Sequence, residues 1–126
     1  MAHIVDSSIW VALFLDFDTH HKKAISLAES LSGILYVPYC VINESASVLT
    51  YKHSKEQANQ FLAYLSENDS ITLVDDQIEE EIKWFREYPK RMSFTDISLL
   101  WLSQHFHASL VTFDIQLARE YKKLAS

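Results

Sequence analysis

Glycine is nearly absent: the 126 residues include one, Gly33, together with two prolines and one cysteine, Cys40. At an average content of about 7%, roughly nine glycines would be expected. A P-loop and a dinucleotide-binding fingerprint are both excluded, because each builds its phosphate cradle on glycine turns. A lone cysteine forms no internal disulfide and no thiolate zinc site, which argues against a disulfide-stapled secreted scaffold. Long apolar runs are missing too. The longest, Ile9 to Leu15, is far below the approximately 20 residues that span a bilayer. The opening Met1–Asp6 reaches an acid too early for a secretory signal, so a soluble cytoplasmic chain with no membrane partner is expected. Positive charge is scarce, with 11 Lys and Arg against 17 Asp and Glu and a formal net charge of −6. That balance excludes gripping nucleic acid by bulk charge. It leaves open a nuclease whose acids hold metal.

What is present suits one core. The chain is 48% hydrophobic and 13% aromatic, enough to fill a small interior. No linker, repeat or low-complexity tract interrupts it, so residues 1–126 are expected to form a single domain. Four short runs are rich in β-branched or aromatic residues: His3–Val5, Ile34–Val37, Ile71–Val74 and Leu110–Phe113. None alternates cleanly with polar residues, as expected of strands covered on both faces.

Helical periodicity fills the intervals. Ala24, Leu27, Ala28 and Leu31 form an i, i+3, i+4, i+7 stripe after an Asp18 or Thr19 cap, with Gly33 placed to end the helix. Ala58, Phe61, Leu62 and Leu65 repeat the stripe behind Ser54-Lys55-Glu56-Gln57, which has the form of a capping box. Ile78, Ile82 and Phe85 mark an apolar face, with Glu79-Glu80-Glu81 as a solvated one paired to Lys83 and Arg86. The segment Ile97–Leu102 is apolar nearly all round, which predicts a buried helix. The order β α α β α α β α α β α implies an α/β fold of three layers, a parallel sheet flanked by helices.

In an open parallel sheet, functional groups gather outside the carboxyl ends of the strands. Here those positions carry acids. Asp6 follows the first strand, Glu44 lies on the helix that begins near Pro38, Asp96 opens the buried helix, and Asp114 follows the last strand. Brought together, four carboxylates repel unless a cation compensates. An all-oxygen donor set favours Mg²⁺ or Mn²⁺ over Zn²⁺, and such an ion suits phosphodiester hydrolysis. Ser8, Thr95 and Thr112 are placed to orient the carboxylates. Lys90, Arg91 and Arg119 are the cations nearest in sequence to Asp96 and Asp114 and the first candidates for binding substrate phosphate. Removing one charge from such a cluster, at Asp6 or Asp96, is expected to leave the metal-free fold intact.

Each acid also has an ordinary explanation, as a helix cap or a turn residue after a strand. Glu44 stands apart, in the stretch Val41–Ala46 where an unpartnered acid would be costly to bury. Asp16-Phe17-Asp18-Thr19 is close to a phosphatase motif, but its Thr falls one place early and no glycine follows. A receiver domain would need an acidic pair after the first strand and a Lys after the last, where this chain has Ser7 and Asp114. His20-His21 and His105/His107 lack a ligand pattern and are read as solvated or capping residues. Cys40 is read as a small core residue.

The ordered set Asp6-Ser7-Ser8, Pro38 to Glu44, Ser93-Phe94-Thr95-Asp96 and Val111-Thr112-Phe113-Asp114 resembles the PIN-domain family, specifically its VapC-type ribonuclease toxins. The resemblance covers the whole chain. It implies a three-layer PIN-like fold with four to five parallel strands, and a Mg²⁺- or Mn²⁺-dependent endoribonuclease with Asp6, Glu44, Asp96 and Asp114 as its metal-binding, catalytic quartet. It also implies an RNA substrate, a cognate antitoxin that occupies the active-site groove, and a homodimer. Gln116 stands where many members carry a further acid, and no fifth strand is evident after Leu124. The alternative from another class is a non-catalytic PIN-like or receiver-like module whose acidic pocket regulates a partner.

Overall fold

The computed structural model describes residues 1–126. The chain runs β1 (Ala2–Val5), α1 (Ser7–Phe14), α2 (His21–Ser30), β2 (Ile34–Pro38), α3 (Tyr39–Lys52), α4 (Lys55–Glu67), β3 (Ile71–Val74), α5 (Ile78–Glu87), α6 (Phe94–His105), β4 (Ser109–Val111) and α7 (Ile115–Ala125). The order of elements is the one read from the periodicities. The four strands form one parallel sheet in the order β3-β2-β1-β4. Helices α1 to α4 pack among themselves, as do α5 to α7. Right-handed crossovers that run outward from β1 to β3 and then return to β4 place these two groups on opposite faces of the sheet, giving the three-layer α/β architecture. No helix is long and apolar enough to cross a membrane.

Direction reverses between β1 and β4, so the carboxyl ends of these neighbours form the topological switch point where such sheets place their sites. Ile4, Val5, Val37 and Leu110 from the strands are buried between the helix layers. Trp10, Val41, Leu49 and Phe61 fill one side, and the seven consecutive buried residues Ile97–Ser103 of α6 fill the other. Burial on every face is why α6 lacks an amphipathic stripe. Burying one such Leu or Phe side chain contributes about 1.5–3 kcal/mol.

Local details differ from the expectations in instructive ways. Asp18 stops one residue short of capping α2, accepting from His20 N–H at 2.8 Å. The Ser54 cap forms, accepting from Gln57 N–H at 3.1 Å, but the Gln57 amide donates to the Phe14 carbonyl instead of closing a capping box. Gly33 lies three residues beyond the end of α2 with φ +96°, where an added Cβ would meet the Met1 carbonyl oxygen at 2.2 Å. The largest departure is the roll of α5. Glu81 is buried and accepts from the Gln77 N–H, while Ile78, Ile82 and Phe85 face outward, and no ion pair forms with Lys83 or Arg86. The face that packs inward is instead Glu81, Trp84 and Tyr88, the two aromatic rings lying against the core.

Candidate active site

Asp6 ends β1 and caps α1, and its burial makes every hydrogen bond to it count. Its Oδ1 accepts from the Ser7 N–H at 2.7 Å; its Oδ2 accepts from the Ser8 hydroxyl at 3.1 Å and the Thr112 hydroxyl at 2.7 Å. The Asp6 N–H in turn donates to the Val111 carbonyl at 2.9 Å, tying the ends of β1 and β4 together. Thr112 was expected to extend β4 but leaves the sheet after Val111. Its hydroxyl reaches Asp6 and accepts from the Asp114 N–H at 3.0 Å. Ser8 closes a second bridge by accepting from the Phe113 N–H at 3.3 Å.

The remaining acids surround this anchor. Asp114 caps α7 by accepting from the Leu117 N–H at 2.9 Å and is exposed. Asp96 sits in the first turn of α6, where its N–H is satisfied by the Ser93 hydroxyl at 3.1 Å, which leaves its half-buried carboxyl free of capping duty. Glu44 is exposed on α3, not enclosed in the apolar stretch around it, and accepts from the Ser7 hydroxyl. Ser7 was not singled out from the sequence, yet its hydroxyl faces both Asp6 and Glu44. Its place in Asp6-Ser7-Ser8, at the first turn after Asp6, signalled it. Thr95 makes no side-chain hydrogen bond to any of the four acids; the Ser7, Ser8 and Thr112 hydroxyls do the orienting.

Asp96 lies within electrostatic reach of the other three acids. Burial pushes the Asp96 carboxyl above the ordinary Asp value, the Ser93 hydroxyl opposes the shift, and the charges of Asp114, Asp6 and Glu44 add to it. Desolvation leads, and like-charge repulsion from the other acids adds to it. No three of these carboxylates gather at metal-ligand spacing. Their chemistry nonetheless fits a hard divalent ion, since the donors are carboxylate oxygens with no imidazole or thiolate among them.

No histidine hydrogen-bonds any of the four acids, although the His20 ring lies 5.2 Å from that of Phe113 beside Asp114. Buried His3 bonds the Ser109 hydroxyl and the Ser32 carbonyl at the opposite end of the strands, His21 bonds the Ala12 carbonyl, and His105 stacks on Trp101. The Cys40 thiol, half-buried against the core, is pushed up to about 12 by burial and by the charges of Glu81, Asp76 and Glu44. It is therefore a packing residue with no thiolate at neutral pH. Asp16 and Phe17 lie exposed in the turn between α1 and α2.

Of the three cations expected near the acids, Arg119 alone lines a groove that reaches Asp114. A groove of about 590 Å³ runs along β4 from Asp114, lined by Lys23, Thr112, Phe113, Arg119 and Lys122 among others. Asp114 is its only acid, and the Lys23 ammonium lies 5.3 Å from the Phe113 ring centre. Arg119 is thus joined by Lys23 and Lys122, which sequence reasoning missed. Lys122 follows Arg119 at i+3 on α7 and was legible as a neighbour, whereas Lys23 depends on how α2 meets β4. Lys90 and Arg91 do not line this groove; Lys90 instead lies near Glu120, whose carboxylate is lowered chiefly by the Tyr88 hydroxyl.

The PIN domain family model matches residues 3–123. Among solved structures, VapC20 of Mycobacterium tuberculosis, described as a Sarcin-Ricin loop cleaving toxin, superposes with a TM-score of 0.84 at 18% identity, covering 95% of each chain. VapBC2 from Rickettsia felis, solved bound to a DNA fragment from its promoter, gives 0.65 at 16% identity over 94% of this chain and 92% of that one. PAE2754 from Pyrobaculum aerophilum gives 0.61 at 20% identity over 93% and 82%. No curated protein matches at a significant level. With its sheet order, its acids at the switch point and a family match over nearly its whole length, the chain belongs to the PIN-domain family.

Proposed function

We propose that this chain, as a single domain, is a Mg²⁺- or Mn²⁺-dependent endoribonuclease, the toxin of a toxin-antitoxin pair, acting in the cytoplasm as a homodimer and inhibited by a cognate antitoxin. The observation that carries the reading is the shared environment of Asp6, Glu44, Asp96 and Asp114 at the carboxyl ends of β1 and β4. Family membership supports nuclease chemistry, and the likeness to VapC20 and to the VapBC2 complex supports RNA as substrate and an antitoxin as partner.

The four carboxylates would hold the ion, which when bound supplies neutralising charge for the scissile phosphate and acidity for an attacking water. Asp6 is held in one orientation by Ser7, Ser8 and Thr112, so its oxygens need no reorganisation during reaction. Ser7 couples Glu44 to that anchor. Lys23, Arg119 and Lys122 draw the RNA backbone toward Asp114, which compensates locally for the acidic whole.

Titrating Mn²⁺ by calorimetry and incubating the same protein with RNA tests the reading. Metal binding with cleavage supports it. Binding without cleavage assigns the pocket to a regulatory module instead, and no binding contradicts both.

A further inference from the structure

Phe113 is the one aromatic ring in the groove that reaches Asp114. It is half-buried, packed in part against the core and in part lining the groove. Its backbone is held by the same two hydroxyls that hold Asp6. The Phe113 N–H donates to Ser8 Oγ at 3.3 Å, the Asp114 N–H donates to Thr112 Oγ1 at 3.0 Å, and both hydroxyls donate to Asp6 Oδ2. The ring is thereby fixed in register with the acids, which core packing alone does not require.

What surrounds the ring says what it can receive. His20 and Lys23 stand three residues apart at the start of α2, and both reach Phe113. The exposed His20 ring lies with its centre 5.2 Å from that of Phe113 at an interplanar angle of 38°. The Lys23 ammonium is 5.3 Å from the same centre, inside the cation–π range of about 6 Å. A lysine on a flexible stem is an easily displaced cover, so a flat ligand can take the ring face while the ammonium swings to a neighbouring anion. With Arg119 and Lys122, the groove holds three cations to one acid in a chain of net charge −6. Rings and cations side by side match a ligand in which flat bases alternate with phosphates. Only unpaired nucleic acid offers a free base face, because duplex bases are stacked on one another.

We propose that Phe113, with His20 beside it, is the platform on which one unpaired nucleobase of the RNA stacks next to the phosphate nearest Asp114, Lys23 moving from the ring to the backbone as the base arrives. The proposal rests on the reading above for RNA as the ligand. It adds the residues that read a base, where Lys23, Arg119 and Lys122 read only phosphate.

Binding of the full chain in excess EDTA, where a metal-dependent nuclease does not cut, tests this with three probes: a short single-stranded oligoadenylate, the same backbone lacking its bases, and duplex RNA of equal length. Wild type is expected to bind oligoadenylate about tenfold more tightly than the base-free backbone. Phe113→Leu should lose that margin and leave the affinity for the base-free backbone and the duplex unchanged. Phe113→Trp keeps a stacking surface, and its indole fluorescence should be quenched by oligoadenylate but not by the base-free backbone. Trp10, Trp84 and Trp101, none of which lines the groove, supply the wild-type baseline. His20→Ala alters an exposed side chain, so it should fold as wild type by circular dichroism and weaken oligoadenylate binding severalfold, which keeps the test decisive if Phe113→Leu unfolds. Equal wild-type affinity for the two single strands, wild-type binding by both Phe113→Leu and His20→Ala, or equal losses for oligoadenylate and the base-free backbone would each overturn the platform. Cleavage with Mn²⁺, measured separately, decides the nuclease reading, so a chain that cleaves without these differences loses the platform alone.

Discussion

The Thr112 hydroxyl donates to Asp6 Oδ2 at 2.7 Å, joining residues 106 apart in sequence at the carboxyl ends of two adjacent strands. The Thr112 Oγ1 also accepts from the Asp114 N–H, so one hydroxyl positions two of the four acids. Thr112→Val keeps the volume but leaves a buried carboxylate one donor short. A loss of about 1.5–2 kcal/mol is expected, with roughly a tenfold fall in cleavage because Asp6 can then turn. Urea unfolding in chelator, together with an RNA cleavage assay, reads both.

Asp96→Asn and Asp6→Asn should both abolish cleavage yet move metal-free stability in opposite directions. Asp96 binds its proton more tightly in the folded chain than the ordinary Asp value of 3.8 describes. The stability this confers is fully present below that value and is lost as the pH rises through the raised folded pKa. At neutral pH the ionised carboxyl therefore opposes folding, and Asp96→Asn should raise the Tm in chelator, on the order of 2 °C. Asp6 is different, because its carboxylate accepts from one N–H and two hydroxyls at 2.7–3.1 Å while buried. An amide would point donors at donors, so Asp6→Asn should lower the Tm, against the expectation that removing any charge from the cluster spares the fold. Thermal melts of the two variants beside wild type check the contrast.

Lys23→Glu with Lys122→Glu should weaken RNA binding at least tenfold and reduce the salt dependence by about one unit of slope per lost phosphate contact. Lys90→Glu with Arg91→Glu, outside the groove, should change both far less. Affinity measured against salt concentration distinguishes the pairs. An equal effect from both would remove the groove from substrate binding.

The single glycine gives a test of the fold alone. Gly33→Ala asks a side chain to adopt φ +96° and to occupy space 2.2 Å from the Met1 carbonyl oxygen. Because the clash is with backbone that pairs with Ile34 to start β2 beside β1, relief requires shifting the strand. A loss of about 2–3 kcal/mol in urea unfolding is expected, with cleavage by the folded fraction unchanged.

Much of this was legible in the amino acids. Runs such as Ile34–Val37 read correctly as strands, although Ile34 in β2 and Leu73 in the edge strand β3 are exposed and not covered on both faces. The acids past strand ends, Asp6 directly after β1 and Asp114 three residues after β4, were readable because sheet topology fixes where strand ends lead. What escaped depended on how helices roll in their packed places. The apolar spacing of α5 pointed inward by periodicity, but Glu81, Trp84 and Tyr88 form the inward face and Ile78, Ile82 and Phe85 face outward. The apolar neighbours of Glu44 did not show that its carboxylate is exposed and partnered by the Ser7 hydroxyl. Lys23 and Arg119 are distant in sequence, and only the approach of α2 to β4 puts them in one groove.

The most direct test is cleavage of RNA as a function of added Mn²⁺ by wild type and by Asp96→Asn. Asp96 is the acid on which the charges of the other three converge. Cleavage should rise with Mn²⁺ for wild type, vanish in excess EDTA, and fall at least about a hundredfold in Asp96→Asn at every metal concentration. Undiminished cleavage in EDTA, or by Asp96→Asn, would contradict a nuclease site built from these four acids.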